Sequence, residues 1–246
     1  MTRQLIRIGG ADRETFLQNL VTNDVAGLKQ GLVWAALLTP QGKYLADFFL
    51  VPAEDAVLLD VAEPLAAGLV QRLTMYKLRA DVTIEPLDVP VAQGVGAAPE
   101  GAFADPRDPS LGWRAYDGRS GEIADWDRRR IAAGVPESGI ELIPNETFPL
   151  EVGFERFHGV DFKKGCYVGQ EVTARMKHKT ELRKGLCLVT IEGAAPVGTG
   201  VTNGAGKPAG TLYSQADGKA LAHLRFDRID GPLRADKAVL TLEEKL

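Results

Sequence analysis

The residues best suited to chemistry are crowded into one stretch, Lys163-Lys164-Gly165-Cys166-Tyr167-Val168-Gly169-Gln170-Glu171-Val172-Thr173-Ala174-Arg175. Gly165 and Gly169 bracket the thiol and permit tight turns and a close backbone approach to a ligand. If a helix opens after Gly169, its free N–H groups and dipole lie near Cys166, and Lys164 adds a positive charge. Both favour the nucleophilic thiolate over the thiol, whose ordinary pKa is about 8.5. The same pattern also fits a small buried hydrophobe, the commoner state of a free cysteine. Cys187, inside the apolar run 186–191, reads as packing. Two cysteines and three histidines supply neither a disulfide framework, nor four thiols for a cluster held within one chain, nor a protein-only zinc site.

Other polar residues have plain readings. Glu151, after Pro149-Leu150, suits the opening of a helix, where the dipole favours an acid. Asp47 falls on a strand and reads as a polar residue on its outward face, and Asn23-Asp24 terminate a helix. His158 and His223 read as packing or solvent-facing. The basic run Lys177-His178-Lys179 with Arg183-Lys184 is a solvated face, a rim for carboxylates, or a surface for an acidic partner. It offers no interleaved aromatics for stacking RNA bases.

These residues need a frame. Residues 4–9 read as a strand, and Asp12 opens a helix with Phe16, Leu17 and Leu20 on one face, closing near Asn23-Asp24. Apolar 31–39 and 44–51 flank the turn Pro40-Gln41-Gly42 as a hairpin. A strand at 56–61 precedes a helix with Pro64 in its first turn and Leu65, Leu69, Leu73 and Tyr76 in one stripe. Residues 81–87 alternate as an edge strand. The Gly-, Pro- and Asp-rich stretch 94–121 reads as a linker or irregular loop with a strand around 113–116. Helical spacing returns at Ile123, Trp126 and Ile131 and stops at Gly134. Short strands at 186–191, 211–214, 220–226 and 239–242 signal a small barrel or sandwich. The expected divisions are 1–95, 96–184 and 185–246, in an α+β protein.

Composition narrows the class. The chain has 246 residues, 45% hydrophobic and 25% charged, enough for a sizeable core and outside the disordered classes. Lys and Arg number 29 against 33 acids, a net −4 that argues against a general nucleic-acid binder. Residues 163–184 reverse this with a net +5. No apolar run approaches the ~18 residues of a membrane helix. The amino terminus interrupts its apolar residues with Arg and lacks a signal-peptide core, so a cytoplasmic protein is expected. A monomer is expected as well.

The string Lys164-Gly165-Cys166-Tyr167-Val168-Gly169-Gln170-Glu171, with Arg175 beyond it, resembles the signature of the YgfZ-type folate-binding proteins, relatives of the glycine-cleavage aminomethyltransferase. Asp12-Arg13 with 16–20 and 22–25, the turn 37–43, and Pro149-Leu150-Glu151 resemble further family segments. The resemblance implies a ring-like arrangement of aminomethyltransferase-type subdomains around a central channel that binds tetrahydrofolate, with a small C-terminal β-barrel. It implies a role in iron–sulfur protein maturation or repair, with client or assembly proteins as partners. Folate-dependent one-carbon (aminomethyl) transfer is the alternative. Glu151 would grip the pterin, whose adjacent N–H and amino groups one carboxylate can accept. Asp24, Gly165, Tyr167, Gly169, Gln170, Glu171 and Arg175 would complete the folate site, and Cys166 with Lys164 would supply a reactive thiol. Asp47 stands where the transferases carry paired acids near the folate nitrogen. Here the strand reads Leu45-Ala46-Asp47, with one acid of the pair missing.

Overall fold

The computed structural model describes residues 2–179 and 181–246. Strand β1 (Arg3–Gly9) leads into helix α1 (Arg13–Gln18), which stops before the Asn23-Asp24 expected from the pattern. Beyond its end, short polar side chains bond the backbone in place of further helix. Asn23 Nδ2 donates to the carbonyls of Trp34 and His158, and Asp24 caps a single 3-10 turn by accepting the Ala26 N–H at 3.0 Å.

The expected hairpin is present as β2 (Val33–Leu38) and β3 (Tyr44–Pro52), followed by β4 (Val57–Ala62), helix α2 (Glu63–Lys77) and β5 (Thr83–Leu87). These strands form one antiparallel sheet in the order β2-β3-β4-β1-β5, with β5 at an edge. Both faces of the sheet are covered, which is why β2 and β3 are buried along almost their whole length. Ala35, Leu37, Ala46, Phe48 and Leu50 pack with Phe16, Leu17, Leu69 and Leu73 from α1 and α2. Trp34, Ala36, Leu38, Phe49 and Val51 point the other way, into a second core with Ile131, Leu142, Phe154, Phe157, Tyr167 and Leu221.

Of the two readings of 94–121, the irregular loop holds and the linker does not, and the strand expected around 113–116 is present. The stretch contributes to a small sheet of β6 (Ala92–Gly94), β7 (Phe103–Ala104) and β8 (Trp113–Ala115), ordered β6-β8-β7. Strands of two or three residues are too short to show periodicity among Gly and Pro. Helix α3 (Trp126–Ala132) ends at Gly134 as the pattern requires, and α4 (Gln170–Lys179) opens directly after Gly169.

The remaining chain closes into a six-stranded barrel of β9 (Lys184–Glu192), β10 (Gly200–Thr202), β11 (Pro208–Ala216), β12 (Lys219–Arg225), β13 (Leu233–Ala235) and β14 (Ala238–Lys245). Pairing of Val201 with Ala235 joins β10 to β13 and removes the sheet edge. Small residues (Ala209, Ala220, Ala222, Ala235, Ala238) fill its narrow interior beside Leu212, Leu224 and Leu240. Cys187 is sealed there, and burial pushes its thiol pKa up to about 12. Arg130 of α3 ties the barrel to the rest, donating to Ser214 Oγ at 2.6 Å and to Glu141 at 3.2 Å. No helix among the described residues is long and apolar enough to cross a membrane.

Candidate functional site

Asp47 lies on the inner side of β3, not on an outward face, and is 3% exposed. A carboxylate this deep needs hydrogen-bond donors, and three converge on it. Trp34 Nε1 donates to Oδ2 at 3.0 Å, while the Tyr44 hydroxyl and Ser138 Oγ donate to Oδ1 at 2.7 and 2.6 Å. Burial and the neighbouring Asp47 charge push the Tyr44 hydroxyl well above its ordinary pKa, so Tyr44 stays a donor. The acid borders a cavity of about 420 Å³ whose wall includes Arg3, Arg107, Arg114, Trp126 and Glu137.

A buried charge lattice builds that wall. Asp60 of β4 accepts Arg3 Nε at 2.6 Å, Arg114 Nη1 at 3.1 Å and the Tyr116 hydroxyl at 3.0 Å. Asp105 accepts Arg107 through two nitrogens at 3.0 and 2.8 Å and Arg114 Nε at 3.2 Å. Burial alone would raise the Asp105 carboxyl, but Arg107 and then Arg114 hold it down at about 2. The guanidiniums of Arg107 and Arg114 also stack on Phe49, 4.7 and 4.2 Å from its ring centre. Sequence reasoning missed these residues because most lie in the stretch that reads as a linker. Asp105-Pro106-Arg107-Asp108, a charged string where a flexible linker needs none, was the available signal.

Glu151 is elsewhere. It sits in a 3-10 turn (Pro149–Val152), 3.4 Å from His223 Nε2 of β12 and 3.3 Å from Lys184 Nζ of β9. Burial works to raise its carboxyl, yet His223 and Lys184 together keep it below its ordinary value. It does not border the cavity beside Asp47.

The Cys166 stretch occupies a third position. Cys166 is exposed rather than packed. Lys164 does not supply the charge expected beside it, because Nζ turns inward and donates to the carbonyls of Gln18 and Val21 at 2.6 and 2.5 Å. Tyr167 is buried in the second core, with the Lys164 ammonium 5.1 Å from its ring centre. Gly169, at φ +84°, sits so close to the hairpin turn that a Cβ would lie 2.6 Å from the Thr39 carbonyl oxygen. Gly165 faces open space. Gln170 reaches back to the Gly165 carbonyl at 3.4 Å, and Arg175 bonds Glu171 at 2.9 Å on the exposed side of α4. Asp24 borders a separate cleft of about 710 Å³ with Asn23, Trp34, His158 and Asp161. The residues expected to share one folate site are thus dispersed. Asp47 faces one cavity, Asp24 another, and neither Glu151 nor Cys166 borders either.

Known proteins fix the family. A mouse protein, "Iron-sulfur cluster assembly factor IBA57, mitochondrial", is 33% identical to this chain, the alignment covering 94% of this chain and 78% of the relative. The human protein of the same name is 32% identical over the same shares. The chain belongs to the IBA57 family. The model of the CAF17 C-terminal beta-barrel domain matches residues 183–245, the segment that closes as the barrel. The glycine cleavage system aminomethyltransferase T of Bartonella henselae superposes with a TM-score of 0.76 at 15% identity, covering 98% of this chain and 83% of that one. The aminomethyltransferase-like fold with a C-terminal barrel, read from the residue signature, is therefore the fold of this IBA57-family chain. The cytoplasmic expectation is overturned, since the IBA57 relatives are named as mitochondrial proteins. Arg residues among the first eight had carried that expectation, and they do not outweigh whole-chain kinship.

Proposed function

We propose that this IBA57-family protein supports iron–sulfur cluster assembly in partner proteins and binds a reduced folate in the cavity beside Asp47. Family membership supports the first half, because the relatives are named as iron–sulfur cluster assembly factors. The observation that carries the second is Asp47 itself, a buried carboxylate held by three donors at the wall of a 420 Å³ cavity. The donor set suits a folate. A carboxylate offers about four acceptor positions, so Asp47 keeps one for a ligand N–H after Trp34, Tyr44 and Ser138 are served. Trp126 lines the same wall, with the Arg107 and Arg114 guanidiniums 5.7 and 5.8 Å from its ring centre. When bound, folate supplies a carrier for one-carbon units; the chain's own part is to orient it and exclude water. Cys166, exposed and outside the cavity, is suited to meeting a partner protein rather than the folate. The net +5 of residues 163–184 surrounds it with charge suited to an acidic partner surface.

Calorimetric titration of tetrahydrofolate tests the cavity. Wild type binds, and Asp47→Asn, which turns an amide N–H₂ toward one set of donors, binds at least about tenfold more weakly. No binding to the wild type removes folate from the proposal. A strain lacking the protein tests the assembly role: iron–sulfur enzyme activities fall and are restored by the wild-type gene, and undiminished activity in the deletion strain ends the assembly reading. Full restoration by Cys166→Ala shows the thiol to be dispensable. One-carbon transfer is the second reading, favoured by the position of Asp47 against the cavity, and it requires turnover of an aminomethyl or methyl donor that Asp47→Asn abolishes.

A further inference from the structure

Helix α2 ends in a way that its own packing does not explain. Its inward face, Ala66, Leu69 and Leu73, fills the first core, and its outward face is small or polar at Gly68, Gln71 and Thr74. The last turn is different. Met75 is 70% exposed, and Leu78, which caps the helix, is 88% exposed. Leu78 stands at φ +47° and ψ −106°, a conformation that a Cβ makes costly and that glycine adopts freely. The turn itself is required: the Ala80 N–H closes on the Lys77 carbonyl at 2.8 Å, and the Asp81 N–H then reaches Asp12 Oδ2 at 2.8 Å. A leucine there strains the backbone, and so little of its side chain is covered that no packing within the chain offsets the strain. Three cations flank the pair, Arg72 one turn before Met75, and Lys77 and Arg79 on either side of Leu78. Among the described residues none of the three has an ion-pair partner. Residues 71–81 hold these cations and one acid, Asp81, which accepts the Ala11 N–H at 3.3 Å, so the segment is +3 − 1 = +2 in a chain of net −4.

We infer that the C-terminal end of α2 is a contact for an anionic lipid surface, with Leu78 and Met75 entering the acyl boundary and Arg72, Lys77 and Arg79 lying against headgroup phosphates. Two apolar side chains ringed by polar ones are too few to form the core of the roughly 800 Å² per side that a stable protein interface buries. A bilayer demands no complementary shape. Each inserted side chain and each cation adds its own share, and the long stems of Lys and Arg keep the charge at headgroup depth. One apolar turn and three cations give a weak, reversible attachment rather than an anchor. Leucine in place of glycine then has a physical reason, since the strained turn lifts an apolar side chain clear of the protein surface. Neither the cavity beside Asp47 nor Cys166 takes part.

Co-sedimentation of the full chain with sucrose-loaded vesicles tests the contact. In about 50 mM KCl, wild type binds vesicles of equal parts phosphatidylglycerol and phosphatidylcholine at least about tenfold more strongly than phosphatidylcholine alone, and raising KCl to about 300 mM removes most of the difference. Leu78→Gly deletes the inserted side chain together with the strain, so binding falls about tenfold while the melting temperature holds or rises. A leucine that served only the fold would show the reverse. Arg79→Gln weakens binding about fivefold. Met75→Ser, at a side chain already in solvent, also weakens it about fivefold, and it carries the test if Leu78→Gly loses stability. Lys179→Gln with Arg183→Gln, in the separate basic run, keeps wild-type binding. Wild type that ignores the anionic vesicles, or binds both kinds alike, overturns the assignment. So does a Leu78→Gly protein of unchanged stability that binds as the wild type does. Binding lost in the Lys179 and Arg183 double variant but kept in Leu78→Gly also overturns it and moves the lipid contact to the basic run.

Discussion

Lys164 shows how far a side chain's role depends on where its last atom goes. In the primary structure it stands two residues from Cys166 and reads as the charge that sensitises the sulfur. In the fold its ammonium ends under α1, bonded to the carbonyl of the last helical residue, Gln18, and to that of Val21 just beyond it. Burial brings its pKa down to about 8, with Asp24 and then Asp161 only partly opposing the change. Lys164→Met orphans both carbonyls and costs about 1–3 kcal/mol at neutral pH, measured by urea unfolding. The pH dependence has a definite sign. Between pH 8 and the ordinary 10.5 the unfolded chain holds the Lys164 proton and the folded one releases it. Wild-type stability therefore rises relative to Lys164→Met as pH climbs through that window. A parallel pH profile for the two proteins would show that the amine is not held as described.

At the scale of elements, the two glycines of the signature separate into different roles. Gly169 ends the loop before α4 and lets it touch the β2–β3 turn, where a Cβ would lie 2.6 Å from the Thr39 oxygen and 3.1 Å from the Gly42 Cα. Gly42 returns the contact, since a Cβ there would lie 2.9 Å from Val172. Gly169→Ala combines this clash with a left-handed φ and lowers stability by roughly 2 kcal/mol or more, read as a drop in melting temperature. Gly165→Ala meets nothing within 4 Å and leaves the melting temperature within a degree or two. An activity loss in Gly165→Ala at unchanged stability would mark the loop as a contact surface; a Gly169→Ala protein of wild-type stability would refute the packing argument. The hairpin, α2, the edge strand and four of the six barrel strands (β9, β11, β12 and β14) were legible because each spans five or more residues of consistent period or apolar composition. Strands β6, β7, β10 and β13 were not, because none exceeds three residues; of the short strands only β8 was read, around 113–116.

Across the whole molecule, the Arg3–Asp60–Arg114–Asp105–Arg107 lattice clasps β1 and β4 to the small sheet and shapes the cavity between them. Removing one partner leaves the others charged and dry, so Asp105→Asn costs about 3–5 kcal/mol at neutral pH. The Asp105 carboxyl, held at about 2 in the fold, adds stability that is complete above its ordinary 3.8 and fades as pH falls toward 2. The acid branch of the wild-type stability curve is therefore steeper than that of Asp105→Asn by about 2 kcal/mol in total. Equal acid branches would show that the lattice is not formed in solution.

Family, fold class and the presence of a sensitive acid on the second hairpin strand all follow from local strings such as 164–171 and 44–51, since short-range pattern and turn chemistry are written in neighbouring residues. Which acids face a common space is a different matter. Asp47 meets Ser138 across 91 positions of chain, Lys164 meets Val21 across 143, and Glu151 is drawn to His223 and away from the cavity. Such distances are closed only when both faces of the first sheet are covered and the barrel docks on α3. Tertiary packing, by choosing which carboxylates find partners and which border a cavity, decided which of these residues share a common space.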